Sequence, residues 1–102
     1  MLLVEQVKRK LNITWDDAST EMRLSDIIEA AKPIMRHKLG IWDTKFDFSA
    51  SGMENSLFLA YCLYAWNHAE NEFSDNYASD IMQVRQKNEV LYYGKVSDDA
   101  EG

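Results

Sequence analysis

Apolar positions recur along most of this chain with the period of a helix. Leu3, Val7 and Leu11 fall at i, i+4 and i+8, which predicts a first helix over 2–11 with Lys8, Arg9 and Lys10 facing water or its C-terminal dipole. Asn12 suits its end. A longer stripe follows in Leu24, Ile27, Ile28, Ala31, Ile34, Met35 and Leu39. Thr14 with Asp17 three residues on resembles a capping box, so this second helix is expected to open at Thr14. Asp16, Asp17 and Glu21 place negative charge near its start, and Arg36, His37 and Lys38 precede Gly40 at its end. Pro33 interrupts the pattern. Inside a helix it removes an N–H and clashes with the carbonyl of Glu29, a cost of about 3 kcal/mol. The stripe continues past it, so a kink is expected rather than a stop.

From residue 40 to residue 52 the period changes. Phe46, Phe48 and Ala50 alternate with Asp47 and Ser49, as in a short strand or an extended arm. Trp42, Phe46 and Phe48 are bulky for a solvated loop. Two readings stay open: a loop pinned to the core by its aromatics, or a loop that contacts a neighbouring subunit. Ser51 and Glu54 form a second capping box, opening a third helix. From Leu57 to Trp66 that helix is apolar on every side, so it sits either at the centre of a bundle or against another subunit. Ser74 or Asp75 is expected to cap a fourth helix over 76–91, with Tyr77, Ile81, Val84, Asn88 and Leu91 on its inner face and Gly94 beyond its end.

The expected fold class is therefore mainly α, a small bundle of about four helices with one aromatic-rich loop that includes a short strand in one reading. The expected domain is residues 1–94, followed by an acidic flexible tail at 95–102. Composition agrees. The 102 residues suit one domain, and four Gly and one Pro leave little turn punctuation. The longest apolar run, ten residues, is about half a membrane span, and the opening residues charge too early for a signal peptide.

Net charge is −6, and its placement is uneven. Residues 1–50 hold eight Lys/Arg and eight Asp/Glu; residues 51–102 hold three and nine. Tight DNA binding draws on a cationic surplus, which is missing here. Lys8, Arg9 and Lys10 read as a solvated face, with a weak phosphate contact as the alternative.

Candidate chemistry is sparse. Cys62 is the one cysteine and lies in the apolar run, as a small buried hydrophobe would. His68 and Glu72 would share a helix face at i, i+4, but two ligands are few for a metal and no HExxH pattern occurs. Asp16–Asp17 and Asp98–Asp99 are adjacent in sequence, which on a helix points their carboxylates about 100° apart, so capping and solvation explain them. There is no Gly-rich phosphate loop, GxSxG or CxxC.

One resemblance covers most of the chain, about residues 2–93. The opening Leu2-Leu3-Val4-Glu5-Gln6-Val7-Lys8-Arg9-Lys10, with Leu11-Asn12-Ile13-Thr14 as an L-x-I-T turn, resembles the first helix of tailed-bacteriophage head-to-tail connector proteins. Leu24-Ser25-Asp26-Ile27-Ile28-Glu29-Ala30-Ala31-Lys32 is similar to the family's L-x-x-I-I-x-A-A-K second helix, which often ends, as here, in Leu39-Gly40 before a variable loop. The resemblance implies a non-enzymatic head-completion adaptor without a cofactor. Such a subunit self-associates into a ring of about a dozen copies, in some cases only on the portal. The ring binds the portal protein, accepts a stopper or tail-completion protein, and lets DNA pass during packaging and ejection without specific binding. The place implied is the head–tail interface of the virion, assembled in the bacterial cytoplasm, with no membrane partner. Portal or subunit contacts would then fall on Trp42, Phe46 and Phe48 and on the C-terminal Leu91, Tyr92, Tyr93 and Lys95, whose aromatics suit an interface. The alternative is a small acidic helical regulator or partner-binding module, of antitoxin or anti-repressor type, whose second half would engage a basic partner.

Overall fold

The computed structural model describes residues 2–101, with side chains over residues 2–91. The chain order is α1 (Leu3–Lys10), α2 (Ala18–Leu39), α3 (Met53–Trp66), α4 (Glu70–Asn76) and α5 (Ala78–Glu101). The mainly helical class is as expected. No strand occurs among the described residues, and one more helix is present than the pattern predicts.

The first three helices end in the same local geometry. After α1, Asn12 is left-handed at φ 59°; its amide donates to the Arg9 carbonyl and that of Ile13 to Lys8 at 2.9 Å. After α2, Gly40 adopts φ 68°, and Ile41 donates to Arg36 at 2.9 Å. After α3, His68 adopts φ 57°, and Ala69 donates to Tyr64 at 2.8 Å. Each is a Schellman closure, which satisfies carbonyls the helix would otherwise leave open. In two of them the residue after the left-handed position, Ile13 or Ile41, is buried.

Gly40 bears the tightest demand. A Cβ there would lie 3.3 Å from Arg85 Cγ and 3.6 Å from the Arg85 carbonyl, at a φ that L side chains avoid. Gly40→Ala is expected to destabilise the fold by about 1–2 kcal/mol. A urea titration reads this directly; an unchanged midpoint would contradict the left-handed closure.

The starts of the helices differ from the sequence expectation. The N-cap of α2 is Asp17, not Thr14. Asp17 is extended, and its Oδ2 accepts from the Thr20 amide at 3.3 Å and the Thr20 hydroxyl at 3.0 Å. Asp is at least as good an N-cap as Thr, and the Trp15 indole N–H also donates to Thr20 Oγ1 at 3.1 Å. The Ser51–Glu54 box does not form. Gly52 precedes α3 with no side-chain cap, and Glu54 instead accepts from Lys87 of α5 at 2.9 and 3.2 Å. The predicted start of the last helix near Ser74 is also displaced. Ser74 lies inside α4, where its hydroxyl accepts from Lys38 at 2.8 Å. The chain breaks at Tyr77 instead, and α5 runs on through Gly94.

At the centre lies α3, in contact with α1, α2, α4 and α5. Leu57, Phe58, Ala60, Tyr61 and Cys62 are buried on it. The interior takes half of the 57–66 run, while Leu59, Leu63, Tyr64, Ala65 and Trp66 are partly buried. Full burial of one such side chain contributes about 1.5–3 kcal/mol. Val7, Leu24, Met35, Leu39 and Phe73 close around it, all at 0% exposure. The short α4 is held by Phe73, whose ring stacks on Tyr77 at 5.1 Å and meets Tyr61 and Tyr64 edge-on at 5.3 and 5.8 Å.

Two successive aspartate turns make up the 41–52 segment. Asp43 Oδ1 accepts from the Lys45 amide at 2.9 Å, and Asp47 Oδ1 from the Ser49 amide at 2.9 Å. Each side chain bonds backbone two residues on, which builds a turn and not a strand. The Ser49 hydroxyl and amide hold the Asp47 carboxyl below its ordinary pKa. A polar clamp fixes the loop to the bundle. Gln6 donates to the Ser49 carbonyl at 3.0 Å, while Asn55 donates to Gln6 Oε1 at 2.8 Å and to the Phe48 carbonyl at 2.7 Å.

One buried polar side chain joins α5 to α2. Asn88 is 3% exposed, and its Nδ2 donates to the Leu39 carbonyl at 2.8 Å, at the end of α2. Asn88→Ala leaves that buried acceptor open and is expected to lose about 1–3 kcal/mol, seen as a lowered thermal midpoint. Retention of full stability would mean the Leu39 carbonyl is satisfied elsewhere.

Candidate interaction surfaces

The loop aromatics do not act as a set. Phe48 is 2% exposed and stacks on Phe58 at 4.6 Å; Phe46 is half-buried and meets Phe48 edge-on at 5.0 Å. Phe48 is a core residue and offers no surface, so the expected three-ring patch reduces to Trp42, 63% exposed. The reason is their spacing: turns of four residues beginning at Asp43 and Asp47 carry Phe46 and Phe48 inward together. At the other predicted surface, Leu91 is 61% exposed and not on the inner face. Tyr92, Tyr93 and Lys95 lie outside the residues whose side chains are described, as does the acidic tail at 95–102.

Two grooves carry apolar surface into solvent. The larger, about 590 Å³, runs between α1 and α2. Leu2 and Met22, each 68% exposed, sit over Leu3, Val4 and Ile28. Its charges are already paired. Lys8 bonds Glu21, and Lys32 meets Glu29 at 3.1 Å.

The second groove, about 390 Å³, lies where the last turn of α2 faces α4 and the first turns of α5. Its floor is Ala78, Ile81 and Met82, the last 60% exposed. Its walls carry His37, Lys38 and Arg85, and no carboxylate lines it. Lys38 is steadied by Ser74, and Arg85 pairs with Glu89 at 3.1 Å, one turn further along α5. In a chain of net charge −6 this is a local reversal of sign.

No family model, curated protein or solved structure matches this chain. The functional reading therefore rests on the residues and their arrangement. The sequence pattern assigns His37 and Lys38 to the α2 dipole and gives no reason to join them to Arg85, 47 residues away, because the crossing of α2 and α5 is tertiary.

A third cleft gathers polar groups around Arg23. Its guanidinium lies 4.0 Å over the Trp66 ring, donates to the Trp66 carbonyl, and has Nη2 3.4 Å from His68 Nε2. Arg23 thereby caps the C-terminal end of α3, where a cation is favoured. Nearby Tyr61 has its phenol pKa raised, first by burial and then by Glu70. The His68–Glu72 pair is not on one helix face: His68 is the left-handed residue after α3, and Glu72 belongs to α4. Among the described residues no three His, Cys, Asp or Glu side chains gather as a metal site would require. Nor is any described helix long and apolar enough to cross a membrane.

Cys62 is fully buried, and burial pushes its thiol up to about 12. In native protein it is expected to resist a thiol-disulfide reagent at neutral pH and to react stoichiometrically in urea. Rapid reaction without denaturant would contradict its place in the core.

Proposed function

We propose that this chain is a structural subunit of a phage head-to-tail connector, a ring under the portal through which DNA passes. The supporting observation is the order of elements at the residues that carry the resemblance. A short helix ends at Asn12 in the L-x-I-T turn, a long helix ends at Leu39-Gly40, and an apolar helix, the short additional α4 and a long final helix follow. In this reading the subunit has no catalytic role and needs no cofactor. Portal and neighbours meet the exposed Trp42 and the region from Leu91 onward, including Tyr92, Tyr93 and Lys95. A stopper or tail-completion protein meets the opposite rim. The acidic balance of residues 51–102 lets DNA slide without sticking. The protein then belongs at the head–tail interface of the virion.

The test is to mix the purified chain with portal assemblies, that of its own phage included, and image them by electron microscopy. Stoichiometric density in a ring on the portal is the expected result; no binding to any portal sinks the reading. The alternative, an acidic helical regulator, predicts regulatory genes beside this one in place of portal, capsid and tail genes.

A further inference from the structure

We propose that the basic groove between the end of α2 and the start of α5 receives the acidic C-terminal stretch of α5 from a second copy of this chain. The inference deepens the ring reading and rests on it for what the contact builds. Charge complementarity carries it. The groove places Lys38, Arg85 and His37 around an apolar floor without a carboxylate. After the apolar run Val90, Leu91, Tyr92 and Tyr93, residues 94–102 carry Asp98, Asp99 and Glu101 against the single cation Lys95. Apolar positions followed by carboxylates match an apolar floor ringed by cations.

Geometry makes the occupant a second copy. The groove uses Ala78, Ile81 and Arg85 of the same continuous helix that carries Asp98. At 1.5 Å per residue, Asp98 lies about 20 Å beyond Arg85 along the helix axis, so a chain cannot fill its own groove. The last buried residue described on α5 is Asn88; Val90 and Leu91, 77% and 61% exposed, already stand clear of the bundle. The radius of gyration, 15.1 Å, exceeds the roughly 13 Å of a compact domain of this length, and the long axis is 52 Å. Groove and stretch are different surfaces of one chain, so the contact is head-to-tail. Such contacts propagate into a closed ring or an open filament.

The experiment is sedimentation velocity of the full chain from micromolar to millimolar concentration, at low and high salt. Expected is concentration-dependent association that weakens with salt, since screened charges carry the contact. Asp98→Lys with Asp99→Lys should weaken it about tenfold, as should Met82→Asp, which puts an anion in the groove at an exposed position. Lys38→Glu with Arg85→Glu makes the groove anionic, and combining that pair with the aspartate pair reverses both surfaces and should restore association. Circular dichroism checks the fold of each variant; if Met82→Asp unfolds, the aspartate pair alone decides. A wild-type chain monomeric throughout, association indifferent to the aspartate pair, or no recovery in the combined chain would overturn the inference. A monomer still able to form a ring on the portal would leave the connector reading standing. An oligomer that binds no portal would sink that reading and keep this one.

Discussion

Phe58→Ala is expected to cost about 3–5 kcal/mol, the range for emptying an aromatic site in a packed core. Phe58 has no exposed surface and stacks at 4.6 Å on Phe48, which in turn carries Phe46. The loss has three parts. The ring's transfer free energy disappears, the stacking contact disappears, and a cavity opens at the middle of the bundle. Collapse into that cavity is resisted, because α3 is held by four neighbouring helices and the 41–52 loop is clamped by Gln6 and Asn55. A domain of this size has only a few to about 10 kcal/mol of net stability, so the variant should be marginal at best. Equilibrium urea unfolding gives the number, with Val90→Ala, at 77% exposure, as a control expected within about 0.5 kcal/mol of the parent. A Phe58→Ala cost below about 1 kcal/mol would mean that α3 is not the central element.

What the sequence made legible was periodic and local. The α2 stripe predicted burial of Leu24, Ile27, Ile28, Ala31, Ile34, Met35 and Leu39; five are buried, Ile27 is half-buried, and Ile34, next to Pro33, is exposed. Asn12 and Gly40 predicted two helix ends, because left-handed backbone favours those residues. The misses trace to competition. Glu54 abandoned a cap for Lys87, which no local pattern encodes. Phe73 anchors a helix too short to show a period, by packing against three tyrosines. The 46–50 alternation imitated a strand, although the repeat Asp43-x-x-x-Asp47, with each carboxylate bonding two residues on, was a readable turn signal.

The interaction surfaces were less legible than the fold. Aromatic content pointed to Trp42, Phe46 and Phe48 equally, and only packing separates the exposed Trp42 from the buried Phe48. The basic groove needs α2 and α5 to cross near Gly40, where the missing Cβ lets Arg85 approach. The glycine was visible in the sequence; its partner was not.

Pro33→Ala is expected to stabilise the protein, against the usual sign for a point substitution. The α2 helix is continuous from Ala18 to Leu39 with Pro33 inside it. The Pro33 ring leaves the Glu29 carbonyl without its helical donor, and it disfavours helical backbone at Lys32. Alanine returns the donor and removes both clashes, a gain on the order of 3 kcal/mol. Proline also restricts the unfolded chain, and losing that restriction offsets roughly 0.4–1 kcal/mol. Residue 33 is on the exposed side of α2, so no core contact is lost with the ring. The Lys32–Glu29 pair, 3.1 Å apart and i, i+3, is compatible with either residue. The net gain is then about 2 kcal/mol, or a rise of about 10 °C in the thermal midpoint of a domain this size. Calorimetry measures both. A neutral or lowered midpoint would show that Ala31, Met35 and Leu39 are packed to suit a bend at Pro33, which a straight helix would pull out of register with α3.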